Sequence, residues 1–228
     1  MSRPAYFLRD YFRILPALII TVCSVRIYEY YFIAFKSFVN HAWYYELLGL
    51  FYDIWACLLF ATVVFLPCLL LSMLSPKAGR ILFHALNVLM IVLYLSLIVV
   101  YSERNTPFDH ELFTRSLHES WLTTKQMMTS GPLLYLPFVL YIGEYFLLCN
   151  ALFRKRNPGN RTVGAWLLCC LLALIFIKFA DPPEKWFRQK AAYYFTTNKF
   201  LFFAADNISY FSNLHEFDAS KLSKEQLA

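Results

Sequence analysis

LLGLFYDIWACLLFATVVFLPCLLLSML, residues 47–74, is a run of 28 residues with a single charged side chain, Asp53. A helix rises 1.5 Å per residue, so about 20 apolar residues cross the ~30 Å hydrocarbon core of a bilayer. This run is more than long enough. Comparable apolar blocks stand on either side of it, at about 14–35, 81–101, 133–153 and 163–180, which makes five. The expected fold is therefore all-α: an integral membrane domain over 1–180 with five transmembrane helices, plus outer-surface amphipathic helices. Residues 181–228 then read as juxtamembrane helices and a linker.

Composition agrees with that class. Charged residues make up 16% of the chain, against about 25% in soluble domains. The formal net charge is +6, but the basic residues flank apolar blocks and form no continuous face. They mark membrane orientation and give no reason to expect a nucleic-acid partner. The six cysteines all lie inside the blocks, so the pattern is neither a disulfide framework nor a CxxC metal site. They read as small apolar side chains.

The connectors carry positive charge on alternating sides. Arg3, Arg9, Arg13, Lys77, Arg80, Arg154, Lys155, Arg156 and Arg161 fall on one side, against the single acid Asp10. Lys36, Arg104, Arg115 and Lys125 fall on the other, with Glu46, Glu103, Asp109, Glu111 and Glu119. Basic residues near span ends stay cytoplasmic. The expected topology has a cytoplasmic N-terminus and, after an odd number of crossings, a C-terminus on the outside of a bacterial cytoplasmic membrane.

The long connector between the third and fourth blocks predicts a surface helix at about 107–130. Thr106-Pro107-Phe108-Asp109 has the order of cap, proline and acid that begins a helix. Phe113, Leu117 and Trp121 recur at four-residue spacing as an apolar stripe that anchors it to the membrane surface. Asp181-Pro182-Pro183-Glu184 repeats the same signal and predicts a second helix start after the last block. The mixed aromatic and basic residues that follow suit the headgroup layer.

Charges inside the blocks are the candidate functional residues, because a charge at the bilayer centre costs at least about 2.5–3.5 kcal/mol on insertion scales. Arg26, Glu29, Asp53 and Glu144 all fall between the midplane and the outer surface. Two readings stand side by side. In one, they line a pocket that opens outward and takes a lipid headgroup, with Arg26 placed for phosphate. In the other, Arg26 pairs with Glu29 or Glu144 and fixes helix packing. His84 and Asn87 share one helix face and read as interhelical hydrogen-bond donors. His110 and His118 read as a solvated face. No Gly-rich phosphate loop, nucleophile elbow or HExxH motif occurs, so no catalytic residue, cofactor site or metal site is assigned.

The layout, with the connector TPFDHELFTRSLHESW (106–121) and the segment NKFLFFAADNISYF (198–211), resembles the membrane module of lipoteichoic-acid-synthase-like proteins of the Bacteroidetes type. These are sulfatase-fold phosphoglycerol and phosphoethanolamine transferases. The resemblance implies a membrane anchor and lipid-facing platform that serves an extracytoplasmic catalytic domain, part of the same polypeptide or separate, with membrane lipids and a phospholipid donor as partners. It implies a threonine nucleophile and a divalent metal, usually manganese, in that catalytic domain, and none in these 228 residues. A non-catalytic protein of cell-envelope binding or assembly is the alternative. A small transporter comes third, disfavoured because no inverted repeat with Gly/Pro-broken spans is visible.

Overall fold

A computed structural model describes residues 3–34, 42–104, 106–108, 135–154, 160–179 and 181–217. The described residues contain helices α1 (Arg3–Ala34), α2 (Ala42–Leu74), α3 (Pro76–Arg104), α4 (Leu136–Arg154), α5 (Asn160–Ile175), α6 (Lys190–Thr196) and α7 (Lys199–Phe217). Short 3-10 turns lie at Ile177–Phe179 and Glu184–Trp186. The all-helical expectation holds for every element described.

Among the described residues four helices are long and apolar enough to cross a membrane, over Phe7–Tyr31, Trp43–Leu74, Pro76–Ser102 and Leu136–Phe153. The fifth block differs from expectation. Its α-helix, α5, has 16 residues, about 24 Å of rise, and only the Ile177–Phe179 turn continues it. Most of the predicted surface helix at 107–130, including Phe113, Leu117 and Trp121, lies outside the described residues. Its first two residues, Pro107 and Phe108, are described and are non-helical, and the Phe108 ring stacks on Phe203 of α7 at 6.2 Å.

The second predicted helix start is also corrected. Asp181-Pro182-Pro183-Glu184 opens a single 3-10 turn, and the next helix waits until Lys190. Backbone geometry supplies the reason. Pro183 and Phe187, on either side of the turn, are both extended, with ψ of 122° and 132°, so no α-helical ladder continues through them.

α1 is the central helix. It packs against α2, α3 and α4, while α2 also meets α5 and α6, and α3 meets α7. Over their most apolar stretches α1 is 56% buried by protein and α4 only 11%, so most of the apolar surface of α4 is left uncovered by protein. An aromatic cluster holds the first half of α1. Tyr11 stacks on Phe83 with ring centres 4.1 Å apart and meets Phe65 edge-on, and its hydroxyl donates to the Ala61 carbonyl. Such ring pairs add about 0.5–1.5 kcal/mol each beyond the area they bury.

α2 and α3 form a hairpin with Ser75 alone between them. Pro76 suits the first turn of α3, where its missing N–H is no loss, and the Ser75 carbonyl accepts the Gly79 amide at 3.1 Å. Gly79 lets the helices close on each other: a Cβ there would stand 2.8 Å from the Cys68 carbonyl oxygen.

At this end of the bundle Arg80 pairs with Asp10. Arg13 donates to the carbonyls of Leu152 and Phe153 at 2.8 and 3.0 Å, capping the end of α4. The starts of α1 and α3 and the end of α4 thus share one end, as alternating crossings require.

Candidate functional site

The opposite end holds a buried cluster of charges from α1, α2 and α7, joined by groups of α3 and α6. Arg26 sits eight residues before the end of α1, with Glu29 on the same face one turn later. That spacing places the two side chains together, and Arg26 Nη1 meets Glu29 Oε2 at 3.0 Å with both side chains fully buried. From α2, Glu46 Oε2 comes to 3.3 Å and Asp53 Oδ2 to 3.7 Å from Arg26 Nε. Glu46 was read from the sequence as a connector residue. It belongs to the first turns of α2 and reaches inward, 8% exposed.

The segment after α5 closes the cluster. The Arg26 Nη2 group donates to the carbonyls of Phe195 at 2.6 Å and Thr196 at 3.0 Å. These are among the last carbonyls of α6, which have no partner within their own helix. Lys199, the first residue of α7, pairs with Glu29 and donates to the Phe195 carbonyl at 2.9 Å. Its ammonium also lies 4.7 Å from the centre of the Tyr101 ring, a cation–π contact. Burial pushes the Lys199 ammonium down to about 8, against the pull of Glu29, which favours its charged form.

Asn198 links the two halves. Its Oδ1 accepts the Leu201 amide at 2.9 Å, which makes it the N-cap of α7. Its Nδ2 donates to Asp53 Oδ1 at 2.7 Å, and Tyr94 from α3 donates to the same oxygen at 3.0 Å. Replacing Asn198 with Ala removes both bonds, and the cap alone accounts for about 1 kcal/mol. Replacing it with Asp keeps the cap but sets a second carboxylate against Asp53. Asn198→Asp is therefore expected to loosen α7 more than Asn198→Ala, measured as faster amide hydrogen exchange over 199–217. The opposite order would show that Asn198 does not act through Asp53.

Gly49 of α2 gives the guanidinium its room. A Cβ at this position would overlap the end of the Arg26 side chain and stand 2.7 Å from its Nε. Two cations thus face three carboxylates in a space closed to solvent. Glu46, at 8%, is the most exposed of the five, so a surplus negative charge is least costly there.

Of the four charged residues picked out in the sequence, the structure joins Arg26, Glu29 and Asp53. Glu144 stands apart on α4. Its Oε1 accepts from Ser24 at 2.8 Å, on the side of α1 away from α2. It borders an open groove of about 470 Å³ lined by apolar residues of α4. Arg26 itself is fully buried. Sequence reasoning missed Glu46, Gly49, Asn198 and Lys199. A usable signal was present, since three acids near one end of the first two helices had one arginine between them. His84 Nδ1 and Asn87 Nδ2 both lie 2.9 Å from the Tyr145 hydroxyl of α4, an interhelical bond as expected.

Among the described residues no three His, Cys, Asp or Glu side chains are grouped as metal ligands. Glu29, Glu46 and Asp53 are already turned to Arg26 and Lys199. The arrangement can hold one chain segment rigidly against another, and it presents no nucleophile beside a base. No protein family, curated protein or solved structure matches the chain.

Proposed function

We propose that this chain is a membrane platform that holds the segment after its last apolar helix in a fixed position at the outer face of a bacterial cytoplasmic membrane. On the resemblance of its layout, what it positions is a sulfatase-fold phosphoglycerol or phosphoethanolamine transferase domain, part of the same polypeptide or separate. The buried joint is the observation that carries this reading. A segment that merely trailed from the bilayer has no use for an N-cap and a lysine sealed into the charge cluster of two transmembrane helices. Such a joint removes the freedom of a linker and confines whatever it positions to the lipid surface, raising its effective concentration there.

In this reading α5 and the Ile177–Phe179 turn make the fifth crossing. Together they rise about 30 Å, from ~1.5 and ~2 Å per residue, which matches the hydrocarbon core. The basic end marked by Arg13 and Arg80 is cytoplasmic, and α6 and α7 lie outside. The metal chemistry belongs to the catalytic domain, and this chain contributes placement.

Two measurements test the reading. A phosphatase reporter fused after Ser212 is expected to be active in the exterior compartment, and activity only for a cytosolic reporter overturns the topology. Photocrosslinking from Ser209 and Phe211, both exposed on α7, is expected to capture a sulfatase-fold phosphotransferase in native membranes. Adducts that contain none overturn the assignment of what is positioned.

A further inference from the structure

The turn between α5 and α6 carries charge that the buried joint does not use. Lys178, Lys185, Arg188 and Lys190 are all exposed. Among the described residues only Lys190 has a carboxylate within ion-pair distance, Glu184 at 3.9 Å, and both of those side chains are more than half exposed. The Asp181 carboxylate is occupied by the Tyr193 hydroxyl at 2.9 Å. Lys185, Arg188 and Lys190, with Glu184, Phe187 and Gln189, line an open pocket of about 380 Å³.

Large apolar side chains surround this charge and stay uncovered: Phe176 is 45% exposed, Ile177 54%, Phe179 62% and Trp186 63%. They continue directly from the apolar helix α5, so they stand where hydrocarbon gives way to headgroups. The segment is nevertheless held in place, because the Phe187 ring packs against Tyr45 of α2 at 5.6 Å and Tyr193 of α6 at 5.8 Å. A fixed, cation-rich pocket at the depth of the headgroups, bordered by membrane-seeking rings, has the chemistry of a phosphate site in the leaflet. The Arg188 fork and two ammoniums supply donors of the kind a phosphate takes.

We propose that the α5–α6 turn binds the headgroup phosphate of an anionic phospholipid through Lys185, Arg188 and Lys190, with Lys178 adding long-range attraction and Phe179 and Trp186 inserted among the acyl chains. A soluble acidic protein partner fits less well, since it would leave Phe179 and Trp186 uncovered. The site is defined by the turn and its membrane depth, and it does not depend on which leaflet the turn meets or on what α7 positions.

The test is lipid retention by the full chain, reconstituted in nanodiscs of mixed phosphatidylglycerol and phosphatidylcholine, then transferred to detergent for native mass spectrometry. Wild type is expected to keep phosphatidylglycerol in preference to phosphatidylcholine. Neutralising the cations as Lys185→Gln, Arg188→Gln and Lys190→Gln is expected to weaken that preference by about fivefold for each charge removed. All are surface positions, and an unchanged melting temperature confirms the fold. Lys185→Arg with Lys190→Arg keeps the charge and is expected to keep the preference. Equal retention of the two lipids by wild type, or undiminished retention by the triple Gln variant, overturns the proposal. Displacement by millimolar inorganic phosphate assigns the pocket to a free anion and overturns the lipid assignment.

Discussion

Arg26→Leu is expected to cost about 3–5 kcal/mol, the usual penalty for removing one partner of a buried ion pair, and to strip the protein from the membrane fraction at ordinary expression levels. The geometry explains the size. One guanidinium faces Glu29, Glu46 and Asp53 and also donates to the carbonyls of Phe195 and Thr196. Its loss leaves three carboxylates with Lys199 alone and the Thr196 carbonyl without its donor, about 1–3 kcal/mol when buried unpaired, while the Phe195 carbonyl keeps Lys199. Arg26→Lys keeps the charge but lacks the planar fork, so it is expected to fall between wild type and Leu.

The informative comparison is Arg26→Met combined with Glu29→Gln and Asp53→Asn. Removing charge on both sides of a buried network is far less harmful than removing it on one, so this triple variant is expected to recover much of the stability lost by the single change. Unfolding in mixed micelles, followed by circular dichroism, measures all of these. Wild-type stability for Arg26→Leu would mean that the cluster does not hold the bundle to the segment after α5.

Gly49→Val gives the second large effect, on a residue with no charge at all. The end of an arginine side chain normally swings away from a new methyl group at little cost. Here the guanidinium is fully buried and held by five oxygen atoms from α1, α2 and α6, so it has nowhere to go. Gly49→Ala is expected to destabilise by about 1–3 kcal/mol, as overpacking of a filled interior does, and Gly49→Val by more. The two sites touch, so their effects should not add. In the Arg26→Lys background, where the volume above Gly49 is smaller, Gly49→Ala is expected to cost clearly less than in wild type. Strict additivity in that double-mutant cycle would show that the glycine matters for some reason other than making room for Arg26.

Much of the helical architecture is legible in order along the chain. The apolar runs locate α1 to α5, Ser75-Pro76 divides α2 from α3, and the distribution of Arg and Lys sorts the connectors into two sets. Boundaries are less legible. α1 begins at Arg3, well before its apolar block, because the aromatic contacts of Phe7 and Tyr11 extend the helix into polar sequence. Asp181-Pro182-Pro183-Glu184 carries every mark of a helix start and yet makes one 3-10 turn, because the residues beyond it are extended and pack Phe187 onto α2.

The sequence by itself determined that this is a helical membrane protein, and that Arg26 and Glu29, three residues apart, share one helix face, while it left Glu29 and Glu144 as alternative partners of Arg26. Both follow from local rules, since hydropathy and the 3.6-residue period act between near neighbours. Tertiary structure alone decided that Lys199 and Asn198 would be the partners of Glu29 and Asp53, and that Glu144 would be left outside. Those pairings span 170 and 145 residues. They exist because α6 and α7 fold back onto the ends of α1 and α2, where burial leaves each charge with nothing but its opposite to face.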